Sequence, residues 1–363
     1  MKFGVMFELS VPRPFTDGIE KTVIENALEQ IRIADELGFH GAWAVEHHFL
    51  EEYSHCSAPE LFLTAAAQQT ERIRVGHGAV VCVPEMNHPI RVAERAAFLD
   101  ILSGGRLDVG TARSSTWTEL GGFLSDPDAT KRDWDEYVRV LPRMWTQEVF
   151  SWEGATFSMP ERAILPKPVQ DPHPPLWVTV TSPGTELDAA DRGIGCLGVA
   201  AAGFSEQERR TLEYHRRIQL GEPVGAVNDQ VATMNFLYCH EDARLGAERG
   251  RQMLGNFYLL NSHLLFTREA FPSSAYPTLG NLAPRQPKKA ADKQSDQGSN
   301  MPEGMCVGDP QHIVRAIKEW ESIGVDQINF LLNSAEILPQ EQVLDSLRLF
   351  AREVMPAFGQ AGH

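Results

Sequence analysis

Residues 73–113, IRVGHGAVVCVPEMNHPIRVAERAAFLDILSGGRLDVGTAR, carry the reading that decides the fold. Ile73–Val83 is an apolar run with the β-branched content of a buried strand. Pro89–Leu102 follows with helical spacing and a proline near its first turn, where the missing N–H is no loss. Gly104-Gly105 makes a turn, and Arg106–Arg113 resumes as a strand. Strand, helix and strand in this order form one βαβ unit, which joins parallel neighbours in a sheet.

The alternation extends both ways from there. Upstream, Lys2–Glu8 reads as a strand. Residues 22–37 set Ile24, Ala27, Leu28, Ile31, Ala34 and Leu37 on one helical stripe, closed by Gly38. Gly41–His47 is a second strand and Ala58–Gln69 a second helix. Downstream come a helix near 131–146, a Pro-rich segment at 159–175, and strands at Leu176–Thr181, 195–200, Val231–Cys239 and Gln327–Leu332. Helices at 184–192, 205–220, 242–260, 310–322 and 340–353 separate or follow them. Eight strands interleaved with helices predict an α/β fold, a (β/α)8 TIM-type barrel with insertions, read as a single domain over 1–363. Residues 272–304, rich in Pro, Ser, Gln and Lys and without periodicity, are expected to be either a mobile lid or a disordered loop.

A formal charge of −16, with Lys and Arg in no run longer than two, Lys288-Lys289 among these, disfavours a polyanion partner such as nucleic acid. Five widely spaced cysteines with no CxxC pair suit free thiols in a reducing compartment. The first residues lack the pattern of a signal peptide, and no stretch approaches the ~20 apolar residues of a membrane span. The expectation is a cytoplasmic protein without a membrane partner, acting on a small-molecule substrate.

In such a barrel the reacting residues stand at the C-terminal ends of strands and just beyond. That rule selects Glu8, Glu46-His47-His48, Pro84–His88, Thr111–Arg113, Thr181–Thr185 and Asn333. Two imidazoles and a carboxylate in EHHF can supply an acid or base near neutral pH, or simply satisfy a polar core. A metal set with His55 and Cys56 has neither HExxH nor HxH spacing behind it. Ser182, Gly184 and Thr185 form either an anion site at a helix start or an ordinary N-cap; Arg113 is either its cation or an ion-pair partner. Gly193–Gly198 matches GxGxxG in letters, but a helix precedes it and a strand follows, the reverse of a dinucleotide fingerprint, so it reads as a helix-to-strand turn.

MKFGVMFE, ADELGFHGAWAVEHHF, HPIRVAERAAFLDILSGGRLDVGTAR, VTVTSPGTELDAADRGIG and VGDPQHIVRAIKEWESIGVDQINF, in this order, resemble the bacterial luciferase-like flavin monooxygenases. The resemblance implies a flavin at the barrel's C-terminal mouth, with His47 beside its ring and Gly78 and Ala79 close to it. It implies that Ser182, Gly184, Thr185 and Arg113 hold the flavin phosphate. It further implies reduced FMN supplied by a separate flavin reductase, reacting with O2 through a C4a-peroxy adduct to oxygenate a small organic substrate, and a homodimer. Ala112 stands where luciferase has a reactive cysteine, and Thr181 where it has a glutamate. An F420-dependent oxidoreductase of the same fold, a non-catalytic flavin-binding barrel and a metal-dependent hydrolase built on His47, His48 and His55 are the alternatives.

Overall fold

A computed structural model of the chain describes residues 1–114, 116–182, 184–199, 204–266 and 304–359. The strands are β1 (Lys2–Phe7), β2 (Gly41–Ala44), β3 (Arg74–Val81), β4 (Leu107–Ala112), β5 (Phe150–Glu153), β6 (Ser158–Arg162), β7 (Leu176–Val180), β8 (Gly195–Val199), β9 (Val231–Cys239), β10 (Cys306–Gly308) and β11 (Gln327–Leu331). Eight of them close a parallel ring in the order β1-β2-β3-β4-β7-β8-β9-β11, and β11 returns to β1 with Lys2 opposite Gln327. β10 extends the sheet beside the end of β9, and β5–β6 is a separate antiparallel hairpin.

The helices are α1 (Ile19–Glu36), α2 (Pro59–Gln68), α3 (Pro89–Leu102), α4 (Trp117–Gly122), α5 (Thr130–Thr146), α6 (Thr185–Asp191), α7 (Phe204–Ile218), α8 (Ala243–Phe266), α9 (Pro310–Ser322) and α10 (Gln340–Glu353). Of the expected α1 stripe Ala27, Ile31 and Ala34 are buried and Leu28 and Leu37 half-buried, but Ile24 is exposed and its neighbour Val23 faces the core instead; Gly38 ends the helix at φ +85. His88 caps α3 by accepting from the Ile90 N–H, ahead of Pro89.

Alternation along the strands divides the core in two. Phe3, Val5 and Phe7 face the helices, while Gly4 and Met6 face the barrel axis. Inside the ring, Trp43 of β2 meets Trp177 of β7 edge-on at 5.5 Å, packed with Met6, Leu197 and Ala232. Such rings fit only because their neighbours are glycine: a Cβ on Gly76 would overlap the Trp43 ring, and one on Gly195 would lie 2.6 Å from Trp177. Gly195 and Gly198 belong to β8, which follows α6 and the turn at Gly193, so the GxGxxG letters are a helix-to-strand turn.

Three elements were absent from the sequence expectation: α4, the β5–β6 hairpin and β10. Each is short, and the hairpin is largely exposed, so none has enough apolar periodicity to read. β2 also stops at Ala44 instead of His47, because the chain beyond it is captured by the next loops. The 272–304 segment lies outside the described residues apart from Gly304. No described helix is long and apolar enough to cross a membrane.

Candidate active site

Parallel strands put all their C-terminal ends on one rim, and the site is assembled there. Past β2, the Val45 N–H donates to the Phe7 carbonyl at 3.2 Å and the His47 N–H to the Cys56 carbonyl at 3.0 Å. Glu46 ties this loop to β3: its Oε2 accepts from the Val81 N–H at 2.8 Å and its Oε1 from Asn87 Nδ2 at 2.8 Å. The same Oε1 lies 3.1 Å from His48 Nε2. Buried Glu46 and half-buried His48 therefore brace this loop, which leaves His47 as the imidazole whose partners are other strand-end residues.

His47 stands between two carboxyl groups. Its Nδ1 lies 2.9 Å from Glu119 Oε1 and its Nε2 3.7 Å from Glu8 Oε2. Burial opposes the charged ring, but Glu119, Glu8 and Glu46 outweigh it and push the imidazole up to about 9. The two flanking carboxyl groups thus favour the protonated ring.

Glu119 is fully buried in the first turn of α4. It accepts from the His48 N–H at 3.1 Å, Ser114 Oγ at 2.9 Å and Thr116 Oγ1 at 2.8 Å, besides His47. Burial works against the carboxylate, yet His47 and these donors hold it below the usual range. Sequence reasoning missed Glu119. The available signal was Thr116-x-x-Glu119, a capping box in which Thr116 Oγ1 also accepts from the Glu119 N–H at 3.2 Å. The rest of α4 walls the loop: Phe123 just beyond it packs on His48 at 4.9 Å and Phe49 at 5.3 Å.

β3, β4 and β7 carry the rim onward. Gly78 and Ala79 lie in β3 where its register with β4 shifts, between the paired residues His77 and Val80. Arg113 directly follows β4. Thr111 pairs with Val178, so the residues after β4 and after β7 emerge side by side. Beyond β7, Gly184 adopts φ +91 with open space where a side chain would be. The Ser182 carbonyl accepts from the Thr185 N–H at 3.3 Å and from Arg210 Nη2 at 3.2 Å. Glu186, which would repel an anion here, is paired with Arg210 at 2.9 Å. Arg210, on α7, is a second residue that sequence reasoning missed. No local pattern marks it, because its partners lie more than twenty positions away.

Other strand-end candidates do not join the group. The Thr111 hydroxyl donates to the Trp177 carbonyl and accepts from Trp134 Nε1. The Asn333 side chain closes its own loop through the Leu338 carbonyl and N–H. His55 pairs with Glu20, and no cluster of three or more metal-ligating side chains occurs among the described residues.

A closed β/α ring with an acid-flanked histidine after its second strand narrows the comparison, and the sequence profile of luciferase-like monooxygenases matches residues 1–327. The chain belongs to the luciferase-like monooxygenase family. Among relatives of this luciferase-like monooxygenase, the oxygenase component of flavin-dependent trigonelline monooxygenase from Acinetobacter baylyi is 25% identical over 349 residues, 94% of this chain and 92% of that one. The crystal structure of monooxygenase RslO1 from Streptomyces bottropensis superposes with a TM-score of 0.79 at 26% identity, over 99% of this chain and all of that one. The oxygenating constituent of 3,6-diketocamphane monooxygenase from Pseudomonas putida, solved in complex with FMN, shares the fold at a TM-score of 0.75, 19% identity and 98% coverage of each chain.

Proposed function

We propose that this protein is the oxygenase component of a two-component monooxygenase, using reduced FMN delivered by a separate flavin reductase to oxygenate a small organic substrate. What supports the reading is a charged imidazole and a hydroxyl–arginine group on one rim, spread over the consecutive strands β2, β3, β4 and β7. Three strand spacings, ~14 Å along the ring, separate the two ends. The donor chemistry fits the cofactor: Arg113 with the Ser182 and Thr185 hydroxyls suits a phosphate, and Gly184 lets backbone lie directly against it. Gly78 and Ala79 offer a floor without bulk for a flat ring. Reduced FMN, when bound, supplies the electrons that activate O2.

The chain's own part is positioning, shielding and proton control. His47, held by Glu119, donates a proton from Nε2 to oxygen developing negative charge. Trp43 and Trp177 plug the barrel below the mouth and exclude water from beneath. Five buried free thiols accord with the reducing environment of the cytoplasm.

Titration of the purified protein with reduced FMN, and separately with reduced F420, tests the assignment. Tight binding of reduced FMN is expected; preference for F420 would move the protein to hydride transfer, and binding of neither overturns the reading. Arg113→Ala should weaken FMN affinity about ten-fold or more, whereas His47→Ala should cut turnover and spare affinity. The opposite pattern would show that the two roles are misassigned.

A further inference from the structure

The outward and inward alternation that sends Gly4 and Met6 to the barrel axis sends Glu8, one step past β1, to the mouth. Its carbonyl accepts from Ser54 Oγ at 2.6 Å, and its Oε1 from the Tyr53 hydroxyl at 3.2 Å. The residue is 6% exposed. Its Oε2 is buried, has no hydrogen-bond partner among the described residues, and stands 3.7 Å from His47 Nε2.

Two carboxyl groups thus flank one imidazole with unequal support. Glu119 takes four donors, from His47, His48, Ser114 and Thr116, and Glu8 takes one, from Tyr53. Where two such groups compete, the one given more hydrogen-bond donors holds its charge, and the other binds a proton more readily. Burial pushes the Glu8 carboxyl up, His47 and Tyr53 oppose this, and Glu119 adds to it. The remaining group electrostatically coupled to Glu8 is Cys56, which burial keeps a thiol.

Glu8 also borders a second space. Met6–Ser10, with Gln30, Asn333 and Glu336, line a lateral pocket between α1 and the loop after β11, with ≈ 30 Å³ of room for water. Glu336 is the other titratable group on its wall, where Asn26 holds it.

We infer that Glu8 is a proton-relay residue behind His47, refilling Nε2 after each turnover and drawing its own replacement from water in the lateral pocket. The inference rests on His47 being the acid of the mouth. His47 imidazolium releases its Nε2 proton to an oxygen of the reacting substrate and becomes neutral. The Oε2–H bond of Glu8 then breaks, and its proton forms a new N–H bond at Nε2, leaving a carboxylate held by the Tyr53 hydroxyl. Hydronium in the pocket reprotonates that carboxylate and becomes water. No electrons move, and one solvent proton is consumed per cycle. The 3.7 Å gap closes to hydrogen-bond length with a carboxyl shift of about 1 Å.

Two measurements test it. Infrared difference spectra of the cofactor-free protein, wild type minus Glu8→Gln, should carry a protonated-carboxyl band at neutral pH whose frequency moves in Tyr53→Phe. Absence of the band overturns the relay. With reduced FMN and O2 as the probes, Glu8→Gln should complete a first turnover and then slow by about ten-fold or more, while Glu8→Asp recovers part of the later rate. A slowdown equal from the first turnover, or none, also overturns it. Were wild-type protein not to reoxidise reduced FMN at all, the proposed function would fail, and the infrared band would still decide whether Glu8 holds the proton.

Discussion

With a carboxyl group at each ring nitrogen, His47 has its charge set by residues far from it in the chain, Glu8 and Glu119. Folding raises its affinity for a proton from an ordinary value near 6.5 to about 9. A raised value means that the folded state binds the extra proton. The associated stability is fully present below about 6.5 and is lost as pH rises through about 9. The donor form follows the same curve, so turnover that needs the acid should fall on the alkaline side through the same value. Glu119→Gln removes the strongest charge partner while keeping the size of the side chain. The His47 titration, followed by nuclear magnetic resonance on ring-labelled protein, should move down toward the ordinary range, with the alkaline limb of turnover moving in parallel. A midpoint that stays near 9 in the variant would mean that Glu119 does not control the charge.

Strands impose a different demand, because two indoles occupy the inside of an eight-stranded ring. Gly76 and Gly195 leave the space that Trp43 and Trp177 fill, and an added methyl at Gly76 has no flexible neighbour to displace. Gly76→Ala should therefore destabilise by about 2 kcal/mol through overpacking, seen as a lower denaturation midpoint with an unchanged denaturant slope. An equal midpoint would show that the Trp43 ring can retreat. The α1 and α3 stripes and the apolar strands repeat over many residues, so element type and ring topology were legible. α4 has only six residues, and its functional content rests on one contact spanning 72 positions, from His47 to Glu119. The strand-end rule selected Glu8, His47 and Arg113, and they stand past β1, β2 and β4 on one rim because parallel topology puts all strand ends there. Glu119, Tyr53 and Arg210 act through contacts that pattern does not encode.

At the scale of the whole molecule, the outer surface is apolar where two neighbouring helices run alongside each other. Glu60 of α2 pairs with Arg95 of α3 at 2.7 Å, and Gln68 Nε2 donates to the Leu102 carbonyl at 2.9 Å, so the two helices are aligned along their length. On their outer side Leu61, Phe98, Ile101 and Leu102 are exposed, Leu61 to 70% and Phe98 to 56%. Large side chains grouped in this way on an otherwise strongly acidic chain mark a surface that gains by being covered. A second copy of the same face is the partner proposed here, since a two-fold axis sets each patch against its equal. Sedimentation equilibrium should give a dimer for the wild-type protein. Phe98→Glu places two like charges near that axis and should shift the mass to the monomer with the fold intact by circular dichroism. Because Phe98 faces away from the mouth, reduced-FMN affinity should persist in the separated subunits. A wild-type monomer, or a dimer indifferent to Phe98→Glu, would put the interface elsewhere or remove it.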